Sequence, residues 1–316
     1  MKTLDENFIY GYDNEFYNLR SNSQSAFNCY YSRASQIPSS FKKECVHVCK
    51  KISDYAISQN KTPYILLSGG LDSEVVVRSF IESKRDFNVI TNRFSNDLNS
   101  HEILYVEKLC NQMNIDPIYV DIDIEKWLLT NEVLTLAEIS KCAYSEMLPT
   151  MKLMHDVFFE MSGIPVLGNG DLYASKEINE DWRFGQSEEK YTWMYIEYEY
   201  ILSWLRYAVN KNIKGGINFF QYTPEIVLSM ALDPLMQNLV NNNPVGKQST
   251  RSTKYLIYKK YWPDIDIREK YHGGEKIPLL TEYLNKDKLL KKYYSYTSRW
   301  KKPFDDFVNL LLPYED

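Results

Sequence analysis

Six consecutive residues, Ser68-Gly69-Gly70-Leu71-Asp72-Ser73, combine the groups that phosphate chemistry needs. Paired glycines let the backbone approach a ligand with no Cβ in the way. Two hydroxyls flank them as donors, and a carboxylate can hold a hard divalent cation that bridges to an anion. The neighbours decide how this set is presented. Tyr64-Ile-Leu-Leu67 is a short apolar run of strand type, and Glu74-Val-Val-Val-Arg-Ser-Phe-Ile-Glu82 reads as an amphipathic helix. A strand, a glycine turn and a helix N-terminus make an anion site, because free N–H groups and the helix dipole both face the turn. No Gly-Lys-Ser/Thr follows at the right spacing, so this is not a Walker loop.

Two further stretches carry chemistry. Leu167-Gly168-Asn169-Gly170-Asp171 closes an apolar run, Ile164-Pro-Val-Leu, and its glycines again suit close backbone approach to a ligand. Further on, Ser252 to Pro263 is a basic, aromatic stretch, helical over 252–261 and carrying Lys254, followed by Arg268-Glu-Lys270-Tyr-His-Gly273-Gly274.

The elements expected to position these groups alternate. A helix from Phe41 to Gln59 precedes strand one, Tyr64–Leu67. Strand two is Asp86–Asn92, and a helix from His101 to Met113 follows an Asn99-Ser100 cap. Strand three is Asp116–Asp121, helical segments run from Glu125 to about Ser162, and strand four is Ile164–Gly168. Such alternation builds βαβ units and a parallel sheet, whose ligands bind at the carboxyl ends of the strands. Ser68, Asn92, Asp121 and Gly168 are all expected at that edge. From Tyr191 to Asn210 the aromatic and aliphatic spacing reads as helix. Thr223-Pro224 starts another, and more helices are expected at 234–241, 252–261, 279–284 and 286–299.

Ser68 to Ser73 resembles the pyrophosphate loop of the N-type ATP pyrophosphatases, and the chain is most similar to the synthetase domain of asparagine synthetase and β-lactam synthetase. The similarity extends over roughly residues 45–280. It implies an adenine-nucleotide α-hydrolase-like, Rossmann-like α/β fold: a parallel sheet flanked by helices, with a helical C-terminal part. The divisions expected are an N-terminal arm at 1–45, a nucleotide-binding core at 46–190 and a helical part at 191–316. The implied activity is an AMP-forming ligase that binds ATP and Mg2+, adenylates a carboxylate, releases pyrophosphate and forms an amide with a nitrogen nucleophile. Ser68, Gly69, Gly70, Leu71, Asp72, Ser73, Gly168 and Gly170 are then nucleotide contacts. Asp72 and Asp171 are implied metal ligands, and Lys270 and Lys254 catalytic cations, with Arg251 a further phosphate contact. The second loop departs from the family pattern: Asn169 replaces the first Glu, Asp171 comes one position early, and Leu172-Tyr173 replaces the final acidic pair. A substrate pocket is expected between Asp171 and Lys190, lined by Trp182, Arg183 and Tyr191. Two other readings are adenylation of a nucleobase and an inactive nucleotide-binding module that regulates a partner.

Bulk properties narrow the class. The 316 residues are 44% hydrophobic and 25% charged, with a net charge of −5, an acidic balance that argues against a protein built to grip nucleic acid. Five scattered cysteines without Cys-x-x-Cys pairs argue against structural zinc and for reduced thiols in the cytoplasm; Cys45 and Cys49 are expected on one helix face. The N-terminus lacks signal-peptide features, and no apolar run is long enough to span a membrane. Lys2 stands where a glutaminase nucleophile would be Cys. The nitrogen is therefore expected as free ammonia, on an amine substrate, or from a separate amidotransferase partner.

Overall fold

The computed structural model describes residues 8–12, 15–16, 27–140, 147–170, 173–181, 186–195, 202–241, 250–266, 268 and 300–314. The N-terminal arm forms a small antiparallel sheet of β1 (Phe8–Tyr12), β2 (Glu15–Phe16) and β3 (Phe27–Tyr31), in the order β2-β1-β3. The first helix, α1 (Phe41–Ser58), buries Phe41, Cys45, Val48, Cys49, Ile52 and Ala56. Their three-to-four spacing makes one continuous apolar face. Burial also pushes the Cys45 and Cys49 thiols well above their ordinary range, so both behave as core residues.

Strands and helices then alternate as the sequence implies. They are β4 (Thr62–Leu66), α2 (Leu71–Ser83), β5 (Asn88–Phe94), α3 (Ser100–Met113) and β6 (Ile118–Ile122). Next come α4 (Ile124–Trp127), α5 (Asn131–Ser140), α6 (Leu148–His155) and β7 (Gly163–Val166). The residues at which α2 and α3 stop, Lys84 and Asn114, adopt left-handed conformations that end a helix. The four strands form one parallel sheet in the order β6-β5-β4-β7. All four residues of β7 are buried, as a strand covered on both faces must be.

The register lines up the expected edge. Leu66 pairs with Ile90 and Ile65 with Val166, so two residues further on Ser68 stands level with Asn92 and Leu67 with Gly168. Asp121, paired with Arg93, lies at the same edge. The chain builds β4, β5 and β6 in one direction and then returns to place β7 on the other side of β4. That reversal is a topological switch point, where open α/β sheets leave a crevice for ligands. The loops after β4 and β7 border it.

The second half departs from the sequence reading in its strands. Tyr191 to Tyr195 is strand, not helix. It belongs to β9 (Gln186–Tyr195), which pairs antiparallel with β8 (Tyr173–Asp181) over nine residue pairs. Tyr191, Trp193 and Tyr195 alternate with Thr192 and Met194. This period-two pattern of aromatics fits a pleated strand and outweighs the weaker three-to-four spacing counted through it. The helix, α7, starts only at Leu202 and ends at Lys211. Then follow α8 (Pro224–Ala231), α9 (Pro234–Asn241), α10 (Thr250–Tyr261), β10 (Trp300–Pro303) and α11 (Phe304–Leu311). Thr223 caps α8 as expected, its hydroxyl accepting from Ile226 N at 3.3 Å, with Pro224 in the first turn. β10 adds to the hairpin in the order β10-β9-β8, so the C-terminal part is not purely helical. The helices expected at 279–284 and 286–299 lie outside the described residues, as do Trp182 and Arg183. Among the described residues no helix is long and apolar enough to cross a membrane.

Candidate nucleotide site at the switch point

Ser68, Gly69 and Gly70 make the turn between β4 and α2. Gly69 has φ +73°, and a Cβ there would lie 2.6 Å from the Glu102 carbonyl oxygen at the start of α3. Both facts demand glycine. Gly70 precedes the first helical residue, Leu71, and has no side chain to cap the helix, which leaves the first-turn N–H groups open to an anion. Ser68 and Gly70 are exposed at the mouth, whereas Leu71 and Ser73 are buried. Ser73 Oγ donates to Gly70 O at 3.0 Å, accepts from Ser68 N at 3.3 Å and lies 3.2 Å from Ser68 Oγ. Its work is therefore internal, fixing the turn, and Ser68 is the hydroxyl nearer to solvent.

Asp72, half-buried in the first turn of α2, has partners that come from far along the chain. Lys254 Nζ lies 2.9 Å from Oδ1 and donates to Oδ2 at 3.1 Å. Tyr258 Oη donates to Oδ1 at 2.6 Å. Lys254 and Tyr258 sit four residues apart on α10 and so share one helix face. The catalytic candidate Lys254 is thus brought onto the Ser68–Ser73 turn, with a side chain 7% exposed. Tyr258 was missed by sequence reasoning. One tyrosine among 26 carries no local signal, and only its four-residue spacing from Lys254 hinted at a shared face.

The second loop is seated against the first. A Cβ on Gly168 would lie 2.7 Å from Ser73 N and 2.8 Å from the Asp72 carbonyl carbon. The close approach at Gly168 is therefore to the backbone of Asp72 and Ser73. Gly170 has φ +83° and lies under the Gln221 side chain. Phe219 N donates to Leu167 O at 3.2 Å and Phe220 N to Asn169 O at 3.0 Å, which fixes the loop from the C-terminal side. Buried hydrogen-bonding atoms without partners lie at this sheet edge: Asn169 Nδ2 after β7 and Asn92 Oδ1 on β5. A donor and an acceptor left unmatched on either side of β4 are what a polar ligand in the crevice would satisfy.

Compared with known proteins, the chain matches no family model and no curated protein.

The functional reading thus rests on the site itself. Its outer wall is stitched on by a second set of charges. Arg78 Nε donates to Glu74 Oε1 at 2.8 Å and Arg78 Nη1 to Asp264 Oδ2 at 2.7 Å, and Gln112 Nε2 donates to the same Asp264 oxygen at 2.7 Å. Arg268 pairs with Glu74 Oε2 and lies 4.7 Å above the Tyr105 ring. Two acidic residues near the start of α2, Asp72 and Glu74, are thus each held by a cation from 254–268. Asp121 is different: it forms a solvent-exposed pair with Arg93 at 2.6 Å, at the sheet edge but away from the loop. Lys270 and Asp171 lie outside the described residues, and for Arg251 only the backbone, in α10, is described. Tyr191 falls on β9, paired with Lys176.

Glu102 gives the site a pH signature. Burial raises its carboxyl to about 7 from a model-compound value of 4.5, against a lowering hydrogen bond from Asn99. The folded state thus holds the proton more tightly than the unfolded chain. Its contribution to stability is present below pH about 4.5 and is lost as pH rises through about 7, by on the order of 2–3 kcal/mol. The first turn of α3 also buttresses Gly69. Thermal melts should show Glu102→Gln stabilised relative to the parent at pH 7.5 and nearly equal to it at pH 4.5. A constant difference across that range would contradict the assignment.

Proposed function

We propose that this chain is an ATP-dependent, AMP-forming ligase of the asparagine-synthetase type, with an adenine-nucleotide α-hydrolase-like fold. The observation that carries the reading is the convergence on Asp72 at the switch point. The glycine turn after β4, the Gly168 loop after β7 and Lys254 from α10 all meet the first turn of one helix. The sheet order, 3-2-1-4 counted along its own strands, is that of a doubly wound nucleotide fold. Open N–H groups, the Ser68 hydroxyl and the Lys254 ammonium together suit a pyrophosphate leaving group.

In this reading a substrate carboxylate oxygen attacks the α-phosphorus, and the bond to the bridging α–β oxygen breaks. Pyrophosphate leaves on the Ser68–Ser73 turn, where Lys254 offsets its developing charge. A nitrogen nucleophile then attacks the acyl carbon, loses a proton and displaces AMP. The protein contributes mainly orientation and fixed charge. Magnesium, when bound, neutralises phosphate charge. Asp72 can offer it one hard oxygen, which fits an ion carried by the nucleotide and water rather than caged by protein. Among the described residues no three His, Cys, Asp or Glu side chains gather to cage one. The partners proposed are an acyl substrate and an amine or ammonia donor, in the cytoplasm. Incubation with ATP, Mg2+ and panels of acids and amines, followed by chromatography, should yield AMP; ADP instead would overturn the reading.

Lys270 is proposed as the second catalytic cation on the resemblance of Arg268-Glu-Lys270 to the family's motif; Arg268 itself is anchored on Glu74 of α2. Lys270→Ala should slow single-turnover AMP formation about a hundredfold while shifting ATP affinity less than roughly tenfold, the pattern of a contact made in the transition state. Lost affinity with retained turnover would make Lys270 a binding residue instead.

A further inference from the structure

We propose that Tyr258 is a positioning residue for the Asp72 carboxylate, holding it so that one oxygen position, on Oδ2, faces a magnesium-bound nucleotide. This deepens the nucleotide reading above and rests on it. A carboxylate offers about four acceptor positions. Tyr258 Oη takes one on Oδ1 at 2.6 Å, and Lys254 Nζ reaches Oδ1 at 2.9 Å and Oδ2 at 3.1 Å. The two hydrogen bonds take one position on each oxygen, and the ammonium also crowds Oδ1, so the open position is on Oδ2.

The tyrosine is built to hold still. Its ring is fully buried in a three-ring cluster with Phe41, 5.9 Å away at 18°, and Phe220, 6.2 Å away at 23°, which are themselves 6.1 Å apart. Phe220 also anchors the second loop through Asn169 O. One aromatic cluster thus braces both Asp72 and the Gly168–Gly170 turn. The two donors to Asp72 have different consequences. Lys254 brings charge: it offsets the carboxylate, which makes the pair a poor site for a cation arriving alone, and it can turn to phosphate when a nucleotide arrives. Tyr258 is neutral and contributes direction only. Removing its hydroxyl should therefore weaken the part of nucleotide binding that depends on magnesium and spare the part that does not.

Calorimetric titration of ATP with and without Mg2+ tests this on the full chain and on Tyr258→Phe, which keeps the stacked ring. The affinity gained from Mg2+ should shrink about tenfold in the variant, with the magnesium-free affinity within about twofold. Adding Tyr258→Phe to an Asp72→Asn background should cause no further loss, because the carboxylate it aims is already gone. An equal loss in both backgrounds, an unchanged magnesium gain, or a Tyr258→Phe protein that does not fold overturns the proposal. Pyrophosphate release read on the same samples separates the two claims. Parent protein that binds MgATP without releasing pyrophosphate overturns the ligase reading, and Tyr258 is then judged on the affinities. Parent protein whose ATP affinity ignores Mg2+ overturns both.

Discussion

Asp72→Asn is expected to abolish magnesium-dependent pyrophosphate release in a protein that stays folded. The amide keeps the size of the side chain and an oxygen for Tyr258, but it loses the charge that a hard cation and the Lys254 ammonium both require. Lys254, only 7% exposed, is left beside a neutral partner. A net loss of about 1–3 kcal/mol in stability follows, small enough to leave the fold in place. Chemistry suffers more, because the charge that aims Lys254 and the oxygen that meets the nucleotide are removed together. A fall of about a thousandfold in pyrophosphate release is the expected scale. Near-full turnover by a folded Asp72→Asn protein would remove Asp72 from the site.

Gly168→Ala is expected to disrupt both the fold and the site through one methyl group. The added Cβ would sit 2.7 Å from Ser73 N and 2.8 Å from the Asp72 carbonyl carbon, and both are backbone atoms that cannot rotate away. Either β7 or the start of α2 must shift, at a cost of about 3 kcal/mol. The shift falls on Asp72 and the first-turn N–H groups, so ATP affinity should drop at least about tenfold in whatever fraction folds. Gly70→Ala is the stability control. Its Cβ would meet only the Ser68 hydroxyl at 3.3 Å, and its φ of −78° is ordinary, so its melting temperature should stay close to the parent's. Equal melting of the two variants would contradict the packing described.

What the sequence disclosed follows the range of the interactions. Ser68 to Ser73 is legible because its chemistry is local: a turn that needs Gly69 at positive φ and a helix start one residue after Gly70. The parallel sheet and its shared edge are legible because alternation of strands and helices restricts topology. The partners of Asp72 are not, because 182 and 186 residues separate it from Lys254 and Tyr258. Only packing of α10 against the loop brings them together. Gly168 shows a subtler limit. Its type signals close approach, but not to what, and the structure places it against the Asp72–Ser73 peptide. Tyr191 to Tyr195 was misread because aromatics at period two also leave matches at three-to-four spacing when counted over a long window. The raised Glu102 carboxyl has no sequence signal either, since it comes from burial at the start of α3.

The central claim is that the turn after β4 holds the phosphates of ATP, and a crystal of the protein with α,β-methylene-ATP and Mg2+ tests it most directly. This analogue cannot be cleaved at the bond in question and needs no knowledge of the acyl substrate. The account predicts the β- and γ-phosphates within hydrogen-bonding distance of the Ser68–Ser73 turn and Lys254 Nζ, with the base in the crevice bordered by Asn92 and Asn169. A nucleotide bound away from the β4–β7 switch point, or a protein that takes up none of the analogue at millimolar concentration, would contradict it.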